Sequence, residues 1–155
     1  MNEAKIAMMT CGLLRVPIDH HDVADFVRRS PAVWEFAATS DGYLGHIDED
    51  PDLRPERFAA DDFRLRCAIT LSFWRDVDSV RAFAYRSTNH ADALHARRRW
   101  FLTGEWPTHV AWWFTAGRRP SQAEGVARYE RLDFFGPTPY AFDLRHPFDD
   151  DAASR

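Results

Sequence analysis

The chain has 155 residues, 45% hydrophobic and 28% charged, which fits one folded domain and excludes a largely disordered chain. Its formal net charge of −4 excludes a whole-chain basic field for nucleic acid, and no apolar run approaches the ~20 residues that span a bilayer. Six Trp in a chain that is 14% aromatic exceed what a minimal core needs, and point to a pocket or an interface.

Lys5 to Val16 is nearly all apolar in both alternation phases, the pattern of a strand covered on both sides. Its apolar core is short, interrupted by Thr10 and Gly12, and lacks the basic flank of a secretory signal, so a cytoplasmic protein is expected. Cys11 here and Cys67 further on both fall in strand-like runs, which favours two free thiols in a reducing compartment over a disulfide. Asp22 is placed to cap a short helix through Arg29, with Val23, Phe26 and Val27 as its buried stripe, and Pro31 restarts or kinks it. Asp41-Gly42 reads as a turn, Tyr43 to Ile47 as a second strand, and Pro51 to Asp62 as a charged loop.

Leu65 to Trp74 alternates most clearly. Leu65, Cys67, Ile69, Leu71 and Phe73 form an apolar face that calls for helices. Arg66, Ala68, Thr70, Ser72 and Trp74 form a mixed face suited to a solvent-bearing cavity or a partner subunit. Asp78 to Tyr85 and Asn89 to Leu102 have helical spacing, with Thr103-Gly104 as the stop. Val110 to Thr115 is a fourth strand that sets Trp112 and Trp113 on opposite faces. Ser121 and Glu124 make a capping box for a helix that Gly136-Pro137 closes, and Asp149 to Arg155 is an acidic tail predicted to be disordered after a single domain over residues 1–148.

The order is that of a β-α-β-β-α-β core: an α+β fold with a ferredoxin-like antiparallel sheet and helices on one face. The other face must be covered, and a second copy of the chain is the economical cover, giving a homodimer of the dimeric α/β barrel type.

His90, Leu94, Arg97 and Phe101 recur at helical spacing and are expected on one face, where an imidazole and a guanidinium suit an anionic or enolate-bearing substrate. His90 is the candidate general base, or alternatively a heme ligand or a helix cap, while Arg97 would stabilise developing negative charge. Arg97, Arg98 and Arg99 point in three directions, and pairing with acids such as Asp133 and Glu130 is the plainer use of such a run. Arg66, Trp74, Phe101, Trp112 and Trp113 are candidate substrate-binding residues, with core or interface packing as the plainer role for the tryptophans. Asp19 to Asp22 and His46 to Asp50 hold ligand-type side chains without a known zinc or calcium spacing, so no metal is expected. Neither a phosphate-binding glycine loop nor a nucleophile elbow is present in the sequence.

Phe83-Ala84-Tyr85-Arg86-Ser87, His90 and Arg97-Arg98-Arg99-Trp100-Phe101 resemble the signature of the bacterial family called domain of unknown function 3291. The resemblance continues through Trp112-Trp113-Phe114, Gly117 to Pro120, Glu124, Arg128, Leu132, Gly136-Pro137-Thr138-Pro139 and Ala141-Phe142. Arg15 to Phe26 fits the family's opening strand and helix, and Thr88-Asn89 departs from it by one extra residue before His90. The resemblance implies a branch of the dimeric α/β barrel superfamily, which includes cofactor-free monooxygenases of aromatic polyketides, heme-binding enzymes, isomerases and cyclases. Such an analogy constrains architecture well and chemistry poorly. The expected protein is a cofactor-independent enzyme for a hydrophobic or aromatic metabolite, of isomerase, cyclase or monooxygenase type. A heme protein and a non-catalytic ligand-binding or dimerisation module are the alternatives. Its expected partners are a second copy and a small molecule, with no nucleic acid and no membrane.

Overall fold

The computed structural model describes residues 3–86 and 97–153. Strand β1 (Ala4–Leu14) is central. It pairs antiparallel with β3 (Cys67–Trp74) on one side and with β5 (His109–Thr115) on the other. Strand β2 (Tyr43–Ile47) adds an edge beside β3, and the two-residue β4 (Phe101–Leu102) pairs with Leu13 and Leu14 beyond the reach of β5. The helices with both ends among the described residues are α1 (Ala24–Ala38), α2 (Asp61–Arg64), α3 (Val77–Arg86), α4 (Gln122–Phe135) and α5 (Asp150–Ala153). This is an α+β fold with an open, ferredoxin-like antiparallel sheet of five strands.

The largely apolar run of β1 is explained by cover on both of its faces. Ile6 and Met8 pack with Trp74, Val80, Phe83 and Ala37 under α1 and α3. Ala7, Met9, Cys11 and Leu13 pack instead with Ile69, Leu71, Phe73, Trp112, Tyr129 and Leu132. That apolar face was expected to take helices, and α4 and the segment after β2 cover it. The mixed face of Thr70, Ser72 and Trp74, expected to suit a cavity or a second copy, lies under α1 and α3, so helices lie on both faces and not on one. The docking is close: a Cβ added at Gly125 would lie 2.7 Å from Met9 Sδ and 3.1 Å from the Trp112 ring. Tyr129 Oη donates 2.6 Å to the Pro107 carbonyl, which ties α4 to the loop before β5.

Gln122, buried on α4, holds the post-β2 segment in place. Its Oε1 accepts from Asp50 N–H at 2.8 Å, and its Nε2 donates to Asp50 O at 2.9 Å and Leu53 O at 2.7 Å. Arg57 adds a bidentate pair to Asp133, at 2.8 and 3.0 Å. Gln122→Leu strands Asp50 N–H and Leu53 O, while Asp50 O keeps the Leu53 N–H at 3.1 Å, and is expected to cost roughly 2 kcal/mol. Urea denaturation checks this, and an unchanged midpoint would show that the segment does not depend on Gln122.

Several local expectations are revised. His20, not Asp22, caps the first turn: its Nδ1 accepts from Asp22 N–H at 3.1 Å. Helix α1 runs through Pro31 as one element. Ser121 Oγ accepts from Glu124 N–H at 3.2 Å, as a capping box requires, but the Glu124 carboxylate pairs with Arg128 at 2.9 Å instead of reaching back. Residues 97–100 are helical and Phe101 already belongs to β4, so Arg97 and Phe101 do not share a helix face. Asp133 pairs with Arg57, while Arg99 pairs with Asp25 at 3.3 Å. No described helix is long and apolar enough to cross a membrane.

Candidate functional site

The β1–β3 ladder builds the site. It pairs Ile6 with Trp74, Met8 with Ser72, Thr10 with Thr70 and Gly12 with Ala68, all on the face under α1 and α3. At one end of this face Trp74 fills the space completely, its ring 4.8 Å from Phe83. At the other end Gly12 and Ala68 carry almost no side chain, so a hollow opens.

The hollow is a cavity of about 470 Å³, within the range of small-molecule sites. Its floor is Met8, Thr10, Gly12, Ala68 and Thr70, and its walls include Phe26, Phe83, Phe101, Leu102 and Trp106. Gly12 is required here because a Cβ would lie 2.5 Å from the Phe101 ring. The Phe101 ring in turn meets Phe26 edge-on at 5.1 Å. A second lobe of about 460 Å³ shares Met8, Thr10, Arg97, Trp106 and Thr108 with the first, and adds His109, Asp143, Leu144 and Arg145.

The polar groups are few and ordered. Thr10 and Thr70, directly opposite on the ladder, hydrogen-bond through their hydroxyls. One hydroxyl hydrogen serves that bond, so the pair keeps one hydrogen for a ligand. His109 Nε2 accepts from Leu144 N–H at 3.0 Å, and its Nδ1 lies 3.1 Å from Thr108 Oγ1. A backbone N–H can only donate, so the neutral ring carries its proton on Nδ1 and donates it to Thr108. That leaves the Thr108 hydroxyl hydrogen free for another acceptor.

Burial lowers His109 from the ordinary imidazole value of 6.5. Asp143 opposes this shift, and the Arg97 and Arg145 guanidinium groups add to it. The sign follows: below about pH 6.5 the unfolded chain takes up a proton that the folded ring refuses, so stability falls as pH drops. We expect Tm to decrease between about pH 7 and pH 5, and to decrease less in His109→Gln. Parallel pH profiles of the two proteins would overturn this account of His109. Burial pushes the Asp143 carboxyl up, but bonds from the His146 ring and from Arg145 and His146 N–H outweigh it and hold it below the usual range.

Of the residues chosen from sequence, the structure brings Arg97 and Phe101 to the cavity. Trp74 lies fully buried in the core, with its Nε1 donating 2.9 Å to Ser72 Oγ. Trp112 is on the opposite face under α4. Trp113 turns toward the C-terminal segment, donating 2.6 Å from Nε1 to the Phe148 carbonyl. Arg66 donates from Nε to Leu14 O at 2.9 Å and its guanidinium lies 5.5 Å from the Phe63 ring centre, away from the lining residues. His90 and Leu94 lie outside the described residues.

Sequence reasoning missed Thr10, Thr108, His109 and Arg145. Extending the fourth strand by one residue would have found His109, because it alternates in phase with Ala111 and Trp113. Both of its nitrogens are engaged, so it has no free lone pair for a heme iron. His20, His21 and Asp22 place ligand-type atoms within 4.8 Å of one another on the surface, where His20 Nδ1 is already used by the turn. Cys11 and Cys67 are free thiols with sulfurs 3.6 Å apart, and the bond to Cys67 together with burial pushes the Cys11 thiol up.

A family model described as domain of unknown function (DUF3291) matches residues 5–155. Neither a curated protein nor a solved structure matches the chain.

Proposed function

The chain belongs to the DUF3291 family, and we propose that this member is a cofactor-independent enzyme acting on a hydrophobic or aromatic metabolite, of isomerase, cyclase or monooxygenase type. The observation that carries the proposal is the cavity above Gly12, Ala68, Thr10 and Thr70: aromatic and aliphatic walls surround a few hydroxyl donors. Phe26, Phe83 and Phe101 would hold the apolar body of the substrate, leaving its carbonyl oxygen to the threonine hydroxyls.

In an isomerisation or cyclisation, a proton leaves the carbon beside that carbonyl and is returned elsewhere in the product, so negative charge passes through the oxygen. Hydroxyl donors fixed on a rigid ladder, with Arg97 beside them, stabilise that charge without reorganising. His90 is proposed from the sequence as the group that carries the proton.

Thr70→Val removes one hydroxyl at nearly constant volume. Once a substrate is found among aromatic and polyketide-like compounds, this variant should lose about a hundredfold in kcat while keeping its Tm. Full activity in Thr70→Val would remove the hydroxyl pair from the mechanism. His90→Ala should also keep its Tm and lose turnover, whereas equal loss of folding and activity would make His90 structural.

A further inference from the structure

The second lobe of the cavity differs in character from the first. Two guanidinium groups from distant parts of the chain converge on it: Arg97 at the end of the helical stretch before β4, and Arg145 in the segment after Phe142. Neither has an ion pair or side-chain hydrogen bond among the described residues, although both act on His109.

The carboxylate in the lobe does not answer them. Asp143 Oδ1 already accepts from Arg145 N–H at 2.8 Å and His146 N–H at 2.9 Å, and lies 3.0 Å from His146 Nδ1. His109 has no acceptor left, and Thr108 has a hydroxyl hydrogen to give. The lobe therefore holds a surplus of donors, and its two guanidinium groups against one carboxylate leave a single net positive charge.

We infer that this lobe is a carboxylate subsite, in which Arg97 and Arg145 bind the anionic end of an aromatic or otherwise apolar acid whose body lies in the first lobe. A monoanion neutralises the surplus, whereas a phosphate dianion would leave an uncompensated negative charge. One ligand can occupy both lobes because Met8, Thr10, Arg97, Trp106 and Thr108 line each of them. Guanidinium groups suit the task because they meet a carboxylate through paired, directional N–H donors. The inference rests on the cavity being the small-molecule site proposed above.

Calorimetric titration with trans-cinnamate and with cinnamamide tests it, because the two share a planar apolar body and differ in charge. Cinnamate should bind the full chain about tenfold more tightly than cinnamamide. Arg145→Ala should erase most of that preference while leaving cinnamamide binding unchanged, and Arg97→Ala should likewise weaken cinnamate more than cinnamamide. Arg145 is exposed, so Arg145→Ala should melt as the parent does. Equal binding of the two compounds, or a preference that survives both substitutions, overturns the carboxylate subsite and leaves the cavity reading standing. Binding of neither compound overturns both.

Discussion

Trp112→Ala should cost about 3–5 kcal/mol of folding stability, the range for truncating a large buried aromatic side chain. Trp112 is fully buried, paired with Ala7 across the ladder and pressed against α4 where Gly125 permits close approach. Little can collapse into the space it leaves, because a strand lies on one side and a helix on the other. Its indole N–H has no hydrogen-bond partner among the described residues, so the residue is held for its volume and its contacts. The Arg128 guanidinium, 5.4 Å from the ring centre, adds a cation–π contribution that alanine also removes. Trp112→Phe should therefore be much milder, since no hydrogen bond is lost with the indole. Urea denaturation of the two variants measures the difference. A Trp112→Ala protein with parental stability would show that the residue is not part of the core.

Trp112 also marks where sequence reasoning stopped. Alternation assigned the two tryptophans to opposite faces, but it carried no information on what covers each face. Helix α4 hides that information: its buried positions are Gln122, Gly125, Tyr129 and Leu132, a stripe that includes an amide and a glycine. Nothing in the spacing separated the face that α4 covers from the one that α1 and α3 cover, so the helices were all expected on the apolar face and a second copy on the mixed one. The strands themselves were legible because β1 is apolar apart from Lys5 and Thr10 and β3 alternates.

The mixed face of β3 was recognisable as a cavity wall, but its two ends were not distinguishable. Trp74 and Ala68 share that face; α3 closes over one and leaves space above the other. Arg145 was beyond reach for a different reason. The bridge of Phe142 to Ala111, the bond from Leu144 N–H to His109 and the bond from Trp113 to the Phe148 carbonyl lay its segment against β5. Contacts of that kind link residues about thirty positions apart, and neither periodicity nor motif spacing reports them.

The strongest functional test exploits the smallest side chains. Gly12 and Ala68 face each other across the ladder, and the cavity exists because neither occupies it. Ala68→Phe puts a ring into that hollow, beside Phe101, where the neighbouring wall residues are aromatic or aliphatic. The added ring buries apolar surface in a partly open space, so overpacking strain is limited and Tm should hold or rise slightly. Ligand binding and turnover should fall by at least about a hundredfold, since a ring's volume cannot be shared with a substrate body. Calorimetry with cinnamamide reads the loss without depending on charge, and a melting curve separates it from unfolding. Undiminished binding by a well-folded Ala68→Phe protein would place the ligand site elsewhere. Lost binding at unchanged stability would fix it above the Gly12–Ala68 rung, where Thr10 and Thr70 can reach a bound oxygen and Arg97 stands at the junction of the two lobes.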